Sequence, residues 1–261
     1  MRTAEFSEFS YGYALMDNIM HGTFLLTPNA PTFPSLRAEG GAVGGYDVQI
    51  PFAPVAAFLQ FKIPQILLRR SCNMPAGFTV PYMRMPLRTG IPNQHQLLID
   101  LEAAGHVVAY ATPDFVTIID LDRYFVAQEV PFQSRYFAPS EIGVLDATSH
   151  HVAYRNGVPN ISIRSEPKKV EGKFGLEGFS KRVGQAVQAA EEQDSSVFLK
   201  NLITTISQIT KTDTIVRPSQ EPRRGPSQQV KQLARQVAYL AQVRLGCAFM
   251  ITGRTNDAPQ P

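Results

Sequence analysis

The sequence predicts an α/β protein with a helical C-terminal region, on three observations. Apolar residues recur at helical spacing in Glu5–His21, then gather into short strand-like runs at Ala56–Lys62 and Val107–Tyr110. Composition shifts near residues 160–175, from an aromatic, proline-rich part to one dominated by Gln, Lys, Ala and Ser. Charge shifts at the same place: Met1–Ile163 carries 10 basic and 13 acidic residues, and Arg164–Pro261 carries 15 and 9. The expected division is therefore a domain over residues 1–163 and a basic, mostly helical region over residues 164–261. With 261 residues, 44% of them hydrophobic, the chain can bury a core, which excludes a wholly disordered protein.

Taken in order, Glu5–His21 reads as a helix whose Phe6, Phe9, Tyr13, Leu15, Met16 and Ile19 form a broad apolar stripe. A Pro-, Ser- and Gly-rich loop over Thr27–Gly45 follows. Tyr46–Ile50 and Ala56–Lys62 read as two strands around a proline-containing turn. Asn93–Ala104 reads as a helix with Leu97, Leu98 and Leu101 inward, stopped by Gly105. Val107–Tyr110 is a buried strand, with a helix around Asp120–Val130 and a further strand at Ser134–Phe137. In the basic part, Ser180–Thr210 and Ser227–Leu245 read as helices; in the second, Val230, Leu233, Val237, Leu240 and Val243 recur every three or four residues.

Several functional classes are excluded by composition. A formal charge of +3 is too mild to argue by itself for nucleic acid or a membrane surface. Cys72 and Cys247 stand far apart with no ligand-type neighbours, which disfavours a disulfide scaffold or a zinc finger and points to a reducing compartment. The first residues include Glu5 where a secretory signal needs apolar ones. The longest apolar stretch, Val48–Phe61, is broken by Pro51 and Pro54 and falls short of the roughly 20 residues that cross a bilayer. The expectation is a cytoplasmic protein with no membrane partner.

The chemistry-bearing stretch is Gly44-Gly45-Tyr46-Asp47-Val48, followed by Phe58-Leu59-Gln60-Phe61-Lys62. Alternate residues of a strand share a face, so Gln60 and Lys62 point the same way, and Asp47 on a neighbouring strand can join them. Asp47, the Gln60 side-chain oxygen and the Phe61 carbonyl offer the hard oxygen ligands that Mg²⁺ (or Mn²⁺) takes. Lys62 can orient or deprotonate a water, or stabilise phosphate oxygens. Such a set suits hydrolysis of a phosphodiester.

At these residues the chain resembles the PD-(D/E)XK nuclease superfamily, over roughly residues 1–140. The resemblance implies a restriction-endonuclease-like αβββαβ core with a mixed sheet, and a Mg²⁺-dependent nuclease acting on DNA ahead of RNA. It implies that Glu8 on the first helix, with Glu5 as the second choice, reaches the metal through water, and that Gln94 and His95 on the helix after the catalytic strand contact nucleic acid. Gln60 departs from the commoner Glu or Asp, which lowers the negative charge offered to a metal; Glu39 is a compensating carboxylate if its loop folds back. Restriction or anti-phage defence is a pathway that the resemblance suggests. A catalytically inactive nucleic-acid-binding or assembly subunit is the alternative.

Arg69, Arg70, Arg84 and Arg88 lie between the Gln60–Lys62 strand and the Gln94 helix, where they can hold a phosphate backbone. The basic C-terminal helices can extend that surface, or mediate self-association or contact with another protein. His150 and His151 are adjacent and would face opposite ways on a strand, so they read as surface histidines rather than a metal pair. Gly40–Gly45 lacks the Lys-Ser/Thr ending of a phosphate loop.

Overall fold

The computed structural model describes residues 2–21, 55–70, 74, 78–89, 93–155, 160–163, 168–171, 175–190, 194–211 and 226–252. Asp47, Glu39, Cys72 and the expected strand Tyr46–Ile50 lie outside the described residues. In chain order the elements are β1 (Arg2–Thr3), α1 (Glu8–His21), β2 (Val55–Phe61), β3 (Gln65–Leu67), β4 (Tyr82–Leu87), α2 (Gln94–Ala103), β5 (Val107–Pro113), α3 (Ile118–Val126), β6 (Ser134–Phe137) and α4 (Pro139–Ile142). They continue as β7 (His150–Tyr154), β8 (Asn160–Ile163), β9 (Lys168–Glu171), α5 (Leu176–Ala189), α6 (Ser195–Ile209), α7 (Pro226–Leu240), a π-helical turn (Ala241–Leu245) and β10 (Ala248–Thr252).

Two sheets form. The central one is mixed, in the order β10-β2-β5-β6; β2 runs parallel to β5, and β10 and β6 pair antiparallel on either side. The other is antiparallel, in the order β1-β3-β4-β7-β8-β9. An α/β protein with a mixed sheet is thus what the chain forms.

Strand β2 explains the layering. Its sequence Val-Ala-Ala-Phe-Leu-Gln-Phe is apolar almost throughout, as a strand covered on both faces requires. Val55, Ala57 and Leu59 pack with Leu15, Met16 and Ile19 of α1 and with Phe179 of α5. Ala56 and Phe58 face the opposite way, into a cluster with Leu98 of α2, Leu202 of α6, Val237 of α7 and Met85 of the second sheet. Period-two alternation then carries Gln60 and Lys62 onto this second face.

Helix α2 forms as its sequence demands. Asn93 caps it by accepting from the Gln96 N–H at 3.0 Å, Leu98 and Leu101 are fully buried, and Gly105 follows with φ 90°. Helix α1 starts later than the Glu5 expected, because the Ser7 hydroxyl accepts from the Ser10 N–H at 3.1 Å and acts as its cap. Glu5 serves another helix instead: its carboxylate accepts from the Ile118 N–H at the start of α3. Phe9 and Tyr13, placed inward by the sequence pattern, are 66% and 53% exposed, while Tyr11 is fully buried and donates to the Ser134 hydroxyl at 2.8 Å.

Other expectations change. Ser180–Thr210 is two helices, α5 and α6; Asp194 starts the second by accepting from the Ser196 and Val197 N–H groups. Val243 is 47% exposed, because the wider π-helical turn shifts the register by which Val237 and Leu240 are buried. The compositional break near residues 160–175 is no packing boundary: the β8–β9 hairpin spans it, and β10 enters the central sheet beside β2. Among the described residues of the C-terminal region most are helical, and Phe198, Leu202, Val237 and Phe249 share one apolar cluster with Phe58 of β2. Among the described residues, no helix is long and apolar enough to cross a membrane.

Candidate functional site at the end of the central strand

Gln60 and Lys62 lie where β2 ends, 4% and 5% exposed. The Lys62 N–H continues the ladder to the Ala111 carbonyl at 2.9 Å, so the residue is held in line with the strand. Helix α1 comes close here. A Cβ on Gly12 would stand 2.5 Å from the Phe61 ring, so any larger residue would have to push that ring aside. Glu8, one turn before Gly12, is thereby brought into electrostatic reach of Lys62. Burial pushes the Lys62 ammonium below the usual lysine range; the Glu8 carboxylate pulls it back up, and Arg88 pushes it down again.

Gln60 is fixed by a chain of amide contacts. Its Nε2 donates to the Phe61 carbonyl at 3.1 Å, and its Oε1 accepts from Gln94 Nε2 at 2.8 Å. Gln94 Nε2 also donates to the Leu245 carbonyl at 2.7 Å. The Cys247 thiol lies 3.8 Å from Gln60 Oε1, and burial pushes that thiol up to about 12, so it is an inert, protonated group. Gly246 supports the cluster with φ 66°; a Cβ there would overlap Gln94 Nε2 and reach Gln60 Oε1 at 3.1 Å.

The candidate residues separate clearly. Gln60, Lys62, Gln94 and the charge of Glu8 come together; Asp47 lies outside the described residues. The neighbour expected for β2 from residues 46–50 is replaced, since β10 and β5 take the two edges of β2. Gln94 turns its amide inward to Gln60 rather than outward to nucleic acid. His95 is corrected more strongly: it is fully buried, with Nδ1 2.9 Å from the Tyr110 hydroxyl and Nε2 2.8 Å from the Gly143 carbonyl. A carbonyl only accepts, so Nε2 carries the proton and Nδ1 accepts from Tyr110. Neither nitrogen is left for phosphate, and burial lowers the ring's proton affinity.

Arg69, Arg70 and Arg88 are exposed, whereas Arg84 sits on β4 and its Nε donates to Gln65 Oε1 at 2.7 Å. His150 is buried, not at the surface, and pairs with Asp146 at 2.7 Å. The turn Leu245–Cys247 is a site element that sequence reading missed; Gly246 just past a helix was its only local signal.

The fit to a divalent cation rests on the donors. Glu8 offers a carboxylate, Gln60 and Phe61 offer carbonyl oxygens, and Gln94 Oε1 is buried with no hydrogen-bond partner. All are hard oxygens of the kind Mg²⁺ and Mn²⁺ accept, and an orphaned buried acceptor is a group that a cation satisfies. These donors do not by themselves complete a cation site, since the Phe61 carbonyl already accepts from Gln60 Nε2 at 3.1 Å. Among the described residues no three His, Cys, Asp or Glu side chains cluster as a metal site. Comparison with protein-family models, curated proteins and solved structures finds no match.

Proposed function

We infer that the protein is a metal-dependent nuclease that hydrolyses phosphodiester bonds, DNA ahead of RNA. The observation that supports this reading best is a buried amide and a buried ammonium two residues apart at the end of the central strand. Burying an ammonium costs several kcal/mol unless it is compensated. Shifted proton affinities in such positions concentrate at functional sites. The parallel pair β2 and β5 is one element of the core that the resemblance implies, whereas β3 and β4, which stand between them in the chain, lie in the other sheet.

In this reading Asp47, Glu8, Gln60 and the Phe61 carbonyl hold Mg²⁺ or Mn²⁺. When bound, the cation supplies Lewis acidity and offsets charge on the pentacovalent phosphorus. Lys62, with its ammonium destabilised by burial, takes the proton of the attacking water or holds that water in line with the phosphorus. Arg88, beside Lys62, and the exposed Arg69 and Arg70 hold the phosphate backbone. Restriction or anti-phage defence is the pathway suggested by the resemblance alone.

One observation favours a second reading, a nuclease-like subunit that binds nucleic acid or a partner without cutting. Gln60 presents its NH₂, not its oxygen, to the Phe61 carbonyl, so a cation shared by those two residues must displace that contact.

Purified protein with Mg²⁺ or Mn²⁺ is expected to cleave DNA, EDTA to abolish cleavage, and Asp47→Ala to slow it by about 10² or more. Single- and double-stranded DNA and RNA all left intact would defeat the nuclease reading. Nucleic-acid binding without cleavage, and without tight divalent-ion binding, would establish the second.

A further inference from the structure

We propose that α1 and α3 form a docking face for a basic amphipathic helix of another protein. Both helices cover the first face of the central sheet, where Leu15 of α1 and Leu121 of α3 share a cluster with Leu59 of β2. Gln60 and Lys62 belong to the other face. The proposal therefore goes beyond the nuclease reading and does not depend on it.

The two helices run side by side in the same direction. The Ile118 N–H, at the start of α3, donates at 3.1 Å to the carboxylate of Glu5, just before α1. Further along, the rings of Tyr13 and Phe125 meet with centroids 6.3 Å apart, and Asn18 Nδ2 donates to the Phe125 carbonyl at 3.3 Å. A helix at the surface ordinarily turns polar residues outward. Here Phe9 and Tyr13, one turn apart on α1, are 66% and 53% exposed, and Ile118, Ile119 and Val126 on α3 are 47%, 76% and 81% exposed. Among the described residues these are five of the eleven exposed large apolar side chains, so they are gathered on two adjacent helices and not scattered singly. An apolar patch of this kind with a polar rim marks an interaction site.

Charge selects the occupant. Residues 2–21 and 118–132 carry six acidic and two basic side chains, in a chain whose formal charge is +3. Both arginines are already paired, Arg2 with Glu5 and Arg123 with Asp120 at 3.0 Å. Asp122 is exposed on the same line of α3 as Ile119 and Val126, and Glu129 is exposed just beyond the helix. Such a rim repels nucleic acid and anionic lipid, and a second copy laid on the same face about a twofold axis would set acid against acid. A helix with an apolar stripe for the seam and lysines or arginines for Asp122 and Glu129 matches both features.

The probes are a peptide of about 18 residues with leucine at helical spacing and lysine elsewhere, and its counterpart with glutamate for lysine. Fluorescence anisotropy of each against the full chain, without metal or nucleic acid, reads the result apart from any cleavage. The lysine peptide is expected to bind, and the glutamate peptide to bind at least about tenfold more weakly. Ile119→Ser/Val126→Ser removes apolar area without changing charge, and is expected to weaken the lysine peptide by about tenfold or more. Asp122→Asn/Glu129→Gln is expected to weaken it and to flatten its salt dependence. Val144→Ser, at a position 76% exposed outside this face, is expected to bind as the wild type does. All the substituted positions are exposed, so thermal midpoints should match the wild type. No binding of the lysine peptide, equal binding of the two peptides, or wild-type affinity in either double variant overturns the proposal, and so does an equal loss in Val144→Ser. Sedimentation in which the wild type dimerises and Ile119→Ser/Val126→Ser does not would also overturn it, by giving the face to a second copy.

Discussion

Lys62→Met is expected to slow phosphodiester cleavage by about 10² or more while the protein still folds. Methionine follows the same unbranched path through the slot at the end of β2, and it removes an ammonium whose burial opposes folding. The thermal midpoint is therefore expected to stay level or rise as activity disappears, which separates a catalytic loss from misfolding. The pH profile carries the sign. Burial places the Lys62 ammonium below its ordinary range, so kcat/KM of the wild type should rise with pH as the proton leaves, below the roughly 10.4 of a free lysine. Lys62→Arg keeps its charge throughout that range and is expected to lose the limb along with most of the activity. The same rising limb in Lys62→Arg would mean that another group titrates there.

The largest expected loss of stability lies elsewhere. Arg135 on β6 meets Asp114 at the end of β5, its Nε 2.9 and 3.2 Å from the two carboxylate oxygens, with both side chains about nine-tenths buried. Its guanidinium also donates to the Arg155 carbonyl at 3.0 Å, joining the central sheet to the end of β7. Burial pushes the Asp114 carboxyl up, and Arg135 pulls it down. Removing the cation alone leaves a buried carboxylate with no counter-charge, so Arg135→Met is expected to destabilise the fold by about 3–5 kcal/mol in urea unfolding. In that variant Asp114 has its folded pKa raised above the unfolded value. The deficit is therefore full above the raised pKa and shrinks as pH falls through it. The double variant Arg135→Met/Asp114→Leu should recover most of the loss. A single variant as stable as the wild type would show that the pair contributes nothing.

Local signals made part of this molecule legible. Asn93 and Gly105 bracket α2, and Ser134–Phe137 is a strand with the predicted limits. What escaped depends on partners distant in the chain. Nothing in Ala248–Thr252 announces a pairing with Val55–Leu59, and a strand pattern alone does not name its neighbour. The second sheet consists of short strands interrupted by prolines such as Pro86 in β4, which weakens their alternation. His95 looked available because its two partners, Tyr110 and the Gly143 carbonyl, arrive only when the chain folds. The same holds for Gln94, whose inward turn could be read only once the Leu245 carbonyl stood beside it.

Convergence of Asp47, Gln60 and Lys62 on one divalent cation is the claim on which the functional account turns. Crystals soaked in Mn²⁺ and measured at the manganese edge test it most directly. The account predicts an anomalous peak at the end of β2, liganded by the Asp47 carboxylate and the Gln60 oxygen, with the Lys62 ammonium beside it. A peak elsewhere, or an Asp47 carboxylate directed away from Gln60 and Lys62 with no manganese bound there, would contradict it.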